Sequence, residues 1–235
     1  MEAELASTRA RAQAMIIAGN VLVNDEPITK PGTMISTESS LRLREPELKY
    51  VSRGALKLKR AIEVFQIAVK GKNALDVGAS TGGFTEVLLE NGALLVHAID
   101  VGTNQLAWKI RSDSRVVVRE NYNARHLEFS DFGIHFDVIV MDVSFISIRL
   151  ILPSLIKVMK SGTELAVLFK PQFEVGKEHV SDGGIVRDQE LAQRFMKETV
   201  EWAETELGLT VKGMIPSPIQ GTDGNHEYLI HWIKG

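Results

Sequence analysis

Two lysines and two carboxylates stand where proton chemistry can be done. Lys57 lies in GALKLKRAIEVFQ, Asp142 in VMDVSF, Lys170 in LFKPQFE and Glu227 in GNHEYL. Asp142 and Lys170 each close an apolar run that reads as a strand, and Glu227 opens another. Ligands of open α/β sheets bind at the carboxyl ends of the parallel strands, so Asp142 and Lys170 are expected on one rim. Amines and carboxylates gathered there could orient a hydroxyl and remove its proton. Singly, each is as readily a surface ion pair; the conjunction argues for a site.

The same rim carries DVGASTGGFTE at 76–86, entered by a strand and left by a helix. Gly78 permits a sharp turn, and Gly82 and Gly83 are expected to let a ligand approach the backbone. Ser80 and Phe84 complete the expected contacts, beside the free N–H groups of the helix start. Asp100 ends the next strand, 22 residues after Gly78. A carboxylate there can accept from both hydroxyls of an adenosine ribose. A tight turn without a ligand is one alternative, and a nicotinamide dinucleotide fold is another. The spacing G-x-x-x-G-G, rather than G-x-G-x-x-G, disfavours the second. Asp76 would repel a pyrophosphate but could meet the positive methionine end of S-adenosylmethionine. It could instead bond loop N–H groups.

These residues need a scaffold. From residue 54, helical and strand patterns alternate, which predicts a mostly parallel, doubly wound α/β sheet. The strands are NALDVGA, ALLVHAIDV, VVVREN, FDVIVMDVSF and TELAVLFK, with LTVKGMIPSP and EYLIHWIK as an antiparallel edge. Helices are expected over NQLAWKIRS, IRLILPSLIKVMK and DQELAQRFMKETVEWAETELG. Residues 1–46 read as a small α+β module: a helix over 7–18 capped by Ser7 or Thr8, then NVLVND, a turn at Asp25–Pro27, and short strands in ITKPGTMI and SLRLRE. Residues 47–53 are expected to be a linker, and 54–235 the catalytic domain.

Residues 1–60 carry a formal charge of +3 and the rest −6, within a net −3. An acidic body with a basic front is compatible with nucleic acid at the front. No run of about 18 apolar residues predicts a membrane span. The chain lacks cysteine, which fits a cytoplasmic enzyme. His126, His179 and His226 are too scattered for metal ligands, and no metal is expected.

YVSRGALKL, DVGASTGGFTE, VMDVSF, LFKPQFEVGKE and GNHEYL resemble the motifs of the TlyA (hemolysin A) family, and STRARAQAMIIAGNVLVND with ITKPG resembles its S4 part. The resemblance covers nearly the whole chain. It implies an S4-type RNA-binding domain before a Rossmann-like, FtsJ-type ribose 2′-O-methyltransferase, with S-adenosylmethionine as cofactor. It implies ribosomal RNA or ribosomal subunits as partner, and a Lys-Asp-Lys-Glu tetrad at Lys57, Asp142, Lys170 and Glu227. MEAELA alone precedes the S4-like helix, so that module is expected to be shortened. The family's hemolysin label finds no support in a long apolar span or a basic amphipathic helix.

Lys57, not Lys59, is assigned to the tetrad: two residues turn a helix by about 200° and place the two lysines on opposite faces, Lys57 fits the SR-x-x-x-K-L pattern of the family it resembles, and Lys59 is expected on a solvated face with Glu63. Arg53, Lys57 and Arg60 share one face. Lys170 is the expected base or hydroxyl-steering group, its pKa lowered by burial and by Lys57. Asp142 and Glu227 would orient the lysines, and Asp142 would also touch the cofactor. Arg9, Arg11, Lys30 and Arg53 are the expected RNA contacts. Gly183-Gly184 should make the loop 176–188 flexible, either as a flap that closes over RNA or cofactor or as an ordinary exposed loop. A non-enzymatic RNA- or ribosome-binding factor and a membrane-active hemolysin are the competing functions.

Overall fold

A computed structural model of the protein describes residues 5–6, 9–43, 49–221 and 224–235, without the side chain of Arg11. The chain divides into two units, Met1–Lys49 and Tyr50–Gly235.

In the first unit, α1 (Arg9–Ile17) ends where Gly19 takes φ +70° and its N–H bonds back to Ile16. The expected cap at Ser7 or Thr8 lies outside the described residues. Three strands follow, β1 (Val21–Val23), β2 (Glu26–Ile28) and β3 (Leu41–Leu43), antiparallel in the order β2-β1-β3. The turn between β1 and β2 is Asn24-Asp25, not Asp25–Pro27. Both residues hold left-handed φ, of 48° and 70°, which suits the twist of a two-residue hairpin and which Asn and Asp tolerate. Glu26 and Pro27 are therefore strand. Of the expected strand in ITKPGTMI only Ile28, the end of β2, precedes an irregular stretch, because Pro31-Gly32 breaks the ladder.

The second unit begins at Tyr50, inside the span expected to be a linker. Tyr50 is buried in that unit's apolar core, and the Val51 N–H donates to Glu86 Oε2 at 2.7 Å. Both are residues with apolar area to bury, and a solvated linker would leave it wet. Its elements run α2 (Gly54–Phe65), β4 (Asn73–Val77), α3 (Gly83–Glu90), β5 (Leu95–Ile99), α4 (Trp108–Arg111), β6 (Val116–Arg119), β7 (Phe136–Met141), α5 (Leu152–Leu155), β8 (Met159–Phe169), α6 (Pro171–Glu174), α7 (Gln189–Leu207), β9 (Leu209–Pro216) and β10 (Tyr228–Lys234).

The sheet order is β6-β5-β4-β7-β8-β10-β9. Its first five strands pair in parallel, and β10 lies antiparallel between β8 and β9. The chain is thus α/β, mostly parallel, with an antiparallel edge. One face packs on Leu58 of α2 and Val87 and Leu88 of α3; the other packs on Leu152 of α5 and Met196 and Val200 of α7. Strand residues alternate accordingly: Leu75 and Val77 face α7, Ala74 faces α2. Two helices are shorter than expected. Pro153 starts α5 after a 3₁₀ turn at Ile148–Leu150, and Met159 is already strand.

The chain goes on from β4 to β5 on one side and from β7 to β8 on the other, so connections leave these neighbouring strands in opposite directions. The crevice of a doubly wound sheet opens at that switch point.

Candidate active site

The loops after β4 and β7 part at this crevice and touch at its floor. The Asp142 N–H donates to Val77 O at 3.0 Å, and a Cβ on Gly78 would fall 2.4 Å from Asp142 O. Gly78 also holds φ +83°, so both sterics and dihedral require glycine. Above the floor lies a cleft of about 700 Å³, walled by the β4 loop, the start of α2, the ends of β7 and β8 and the turn before β10. That volume suits a nucleoside-sized ligand.

Lys57, Asp142, Lys170 and Glu227 meet at its base. Lys57 Nζ donates to Glu227 Oε2 at 2.6 Å and stands 3.9 Å from Asp142 Oδ2. Lys170 Nζ lies 2.6 Å from Asp142 Oδ1 and donates to Ser144 Oγ at 2.9 Å. Asp142 Oδ1 has no hydrogen bond of good angle, so the short Lys170 contact is an ion pair more than an aligned bond. Charges alternate along the row Glu227–Lys57–Asp142–Lys170, and Asp142 lies between the two lysines. Lys57 and Lys170 are each 8% exposed and Glu227 4%. Buried charges in this state need partners, and each here has one. Lys59, two residues from Lys57, is exposed.

The glycine loop carries its own anchors. Asp100 accepts from the Ser80 N–H at 2.8 Å with one oxygen and from the Gly102 N–H at 2.7 Å with the other. Its carboxylate thus first fixes the loop, and Ser80 holds φ +48° there. Gly78, Ser80, Gly83 and Phe84 line the cleft. Gly82 and Gly83 are also required by protein packing. A Cβ on Gly82 would fall 2.9 Å from Leu106 Cδ1, and one on Gly83 would fall 2.3 Å from Ser52 Oγ.

Asp76 does not reach the cleft wall. By strand alternation it points toward α2 and α3, is fully buried, and accepts from Thr85 Oγ1 at 2.6 Å. It also accepts from the Thr85 N–H, within the 76–86 motif. Burial pushes its carboxyl up to about 7, and the charges of Asp142 and Asp100 add to this against the Thr85 bond. Its Oδ1 has no partner.

Several wall residues carry no spacing signal. Ser144 holds Lys170. Gln172 lines the cleft with its Oε1 unpartnered. Phe145 is 91% exposed with φ +64°, its ring 5.2 Å from that of Phe173. A left-handed Phe stores strain, which such residues carry mostly at functional sites. Each sat in a motif already singled out, but only the fold shows which side chains face the cleft.

The 176–188 segment is not a free flap. Ser181 and Ile185 form a bridge, Gly183 and Gly184 take left-handed φ in the turn between them, and Val186 is buried. The glycines make a tight turn, not a hinge. Of the expected RNA contacts, Arg9 and Lys30 are exposed in the first unit, and Arg53 is exposed on the cleft rim of the second. Arg11 falls within α1, its side chain outside the description. Among the described residues, no helix is long and apolar enough to cross a membrane.

Comparison with known proteins agrees with this geometry. The chain matches the FtsJ-like methyltransferase model over residues 50–234 and the S4 domain model over residues 2–40. It is 46% identical over 231 residues to the 16S/23S rRNA (cytidine-2′-O)-methyltransferase TlyA of Mycobacterium tuberculosis, spanning 98% of this chain and 85% of that protein. It is 41% identical over 227 residues to Hemolysin A of Brachyspira hyodysenteriae, spanning 96% and 94%. The solved structure of a candidate hemolysin from Streptococcus thermophilus superposes with a TM-score of 0.79 at 45% identity, covering 98% of this chain and 84% of that one. With the site and both domain matches in place, this chain belongs to the FtsJ-like methyltransferases, and within them to the TlyA (hemolysin A) family, whose S4 domain precedes the methyltransferase domain.

Proposed function

We propose that this protein transfers a methyl group from S-adenosylmethionine to a ribose 2′-hydroxyl of ribosomal RNA. The observation that carries the reading is the alternating row Glu227–Lys57–Asp142–Lys170 at the base of a cleft shared with the glycine loop. We take the nucleotide to be a cytidine, as in the names of the TlyA relatives, and the site of action to be the cytoplasm.

The residues present fit this cofactor. The cleft has nucleoside size, Gly78, Ser80 and Gly83 of the loop line it, and Gln172 on its wall carries an Oε1 without a partner. When bound, S-adenosylmethionine supplies an electrophilic methyl group on a sulfonium. The chain's residues then have to prepare the hydroxyl. A charged lysine has three N–H donors. Asp142 and Ser144 engage Lys170, which leaves it a donor for the substrate oxygen. Lys170 holds that oxygen in line with the methyl carbon, and the hydroxyl proton leaves to solvent as the oxygen takes the methyl group. Asp142 fixes Lys170 on one side and faces Lys57 on the other. Glu227 holds Lys57, so the row is neutral overall and stays put while the proton moves. Alignment of reacting atoms can lower a barrier by roughly 7–11 kcal/mol, and a rigid row of this kind supplies it. The exposed Phe145 ring offers a face on which the base of the target nucleotide can stack, a mode common for unpaired bases. Arg53 on the rim and the exposed Arg9 and Lys30 of the S4 domain offer positive charge for phosphates.

The test is tritiated methyl transfer to ribosomal subunits, with 2′-O-methylation mapped in ribosomal RNA from cells with and without the protein. A methyl mark that depends on the protein and on Lys170 supports the proposal. Unchanged marks, or transfer to a base nitrogen or carbon, would refute it.

A further inference from the structure

Glu227 is placed by the turn that precedes β10, and that turn is held from two sides. Within the turn, the Gly221 N–H donates to the main-chain oxygen of Asn225 at 3.0 Å. Gly221 then lies so near Glu227 that a Cβ on it would fall 2.7 Å from Oε1. From outside, the Asn225 carboxamide grips the 181–186 segment. Its Oδ1 accepts from the Val186 N–H at 2.9 Å, and its Nδ2 donates to Gly184 O at 2.8 Å. The side chain is 1% exposed, and both of its polar ends are used. The segment it grips is itself closed, by Ser181 N–H to Ile185 O at 2.9 Å and by Val186 seated against Val175 and Ala192. Only a carboxamide can accept from one main-chain group and donate to another here. Aspartate lacks the donor, and leucine lacks both.

We infer that Asn225 is a positioning residue for methyl transfer: it locks the turn before β10 to the 181–186 segment and so sets Glu227, and through Glu227 the Lys57 amine. This rests on Glu227 belonging to the catalytic row. The 176–188 loop becomes, on this account, a fixed buttress for the row.

The experiment is a double-mutant cycle in the full chain, with Asn225→Ala, Glu227→Ala and the pair combined. Methyl transfer to ribosomal subunits gives kcat and KM separately, and calorimetry gives cofactor affinity. Asn225→Ala is expected to lower kcat about tenfold or more, with KM and cofactor affinity within about threefold of the parent. The double variant should be no slower than Glu227→Ala alone, because the first change acts through the second residue. A structural effect independent of Glu227 would instead multiply the two losses, and that result overturns the inference. So does parental kcat in Asn225→Ala when Glu227→Ala is slow. Parental turnover in Glu227→Ala overturns the catalytic reading of the row itself, and the inference with it. If Asn225→Ala fails to fold, Asn225→Ser runs the same cycle, since its hydroxyl is uncharged and too short to bridge the Val186 N–H and Gly184 O together.

Discussion

Lys57 donates a 2.6 Å hydrogen bond to Glu227 across 170 positions of sequence, and both side chains are nearly sealed from solvent. Removing one partner leaves the other's charge buried. Glu227→Ala or Lys57→Ala should therefore destabilise the protein by about 3–5 kcal/mol in urea unfolding. Lys57→Met with Glu227→Leu should cost less than the two single losses combined. Strict additivity would mean that the pair is not coupled.

Lys170 is the group assigned to the substrate hydroxyl. Lys170→Ala should lower methyl transfer by about a hundred- to ten-thousand-fold and leave S-adenosylmethionine binding nearly unchanged. Lys170→Arg should not restore turnover, since a guanidinium stays charged and has a different shape. Asp142→Ala should be comparably severe, because it contacts both lysines. Near-parental rates for Lys170→Ala would remove the mechanism.

Asp76 gives stability a pH dependence of known sign. In the folded chain its proton stays until about pH 7; an unfolded aspartate releases it near 3.8. Its contribution is thus complete below pH 3.8 and is lost as pH rises to about 7. Asp76→Asn, which can still accept from Thr85, should match the parent near pH 3.5 and exceed it at pH 8, by at most about 4 kcal/mol. Denaturation curves at several pH values measure the gap. A gap that shrinks as pH rises would contradict the burial argument.

Asp100 fastens Ser80 and Gly102 before it meets any ligand. Asp100→Ala should weaken cofactor binding by roughly 2–4 kcal/mol through loss of charge-assisted bonds. Asp100→Asn should lose less, because its oxygen still accepts from one N–H. Calorimetry decides, and equal affinity for all three proteins would leave Asp100 without a role at the site.

Replacing Arg9, Arg11 and Lys30 with Ala should weaken RNA binding and lower the slope of log affinity against log salt by roughly one per lost phosphate contact. Cofactor affinity should not move. An unchanged salt slope would show that the S4 domain holds RNA by other means.

The members of the row were legible because Asp142 and Lys170 end unbroken apolar runs, which only strands of a parallel sheet present so plainly. Lys57 came with the family resemblance, and helix geometry set it apart from Lys59. Its contact with Glu227 was not legible, since it depends on β10 entering the sheet next to β8. A glycine loop announces close approach but not everything that approaches, and Leu106 and Ser52 beside Gly82 and Gly83 carried no signal of their own. Asp76 could be placed on its strand, but its partner Thr85 belongs to the next helix. Asn225 gave no signal at all, because its meaning lies in main-chain groups some 40 residues away.

The strand that brings Glu227 to the row, β10, is laid between β8 and β9 after both have been made. Taking β10 out would part β8 from β9 and leave Lys57 without the carboxylate it donates to, so the Lys57–Glu227 contact reports whether the antiparallel edge of the sheet is closed.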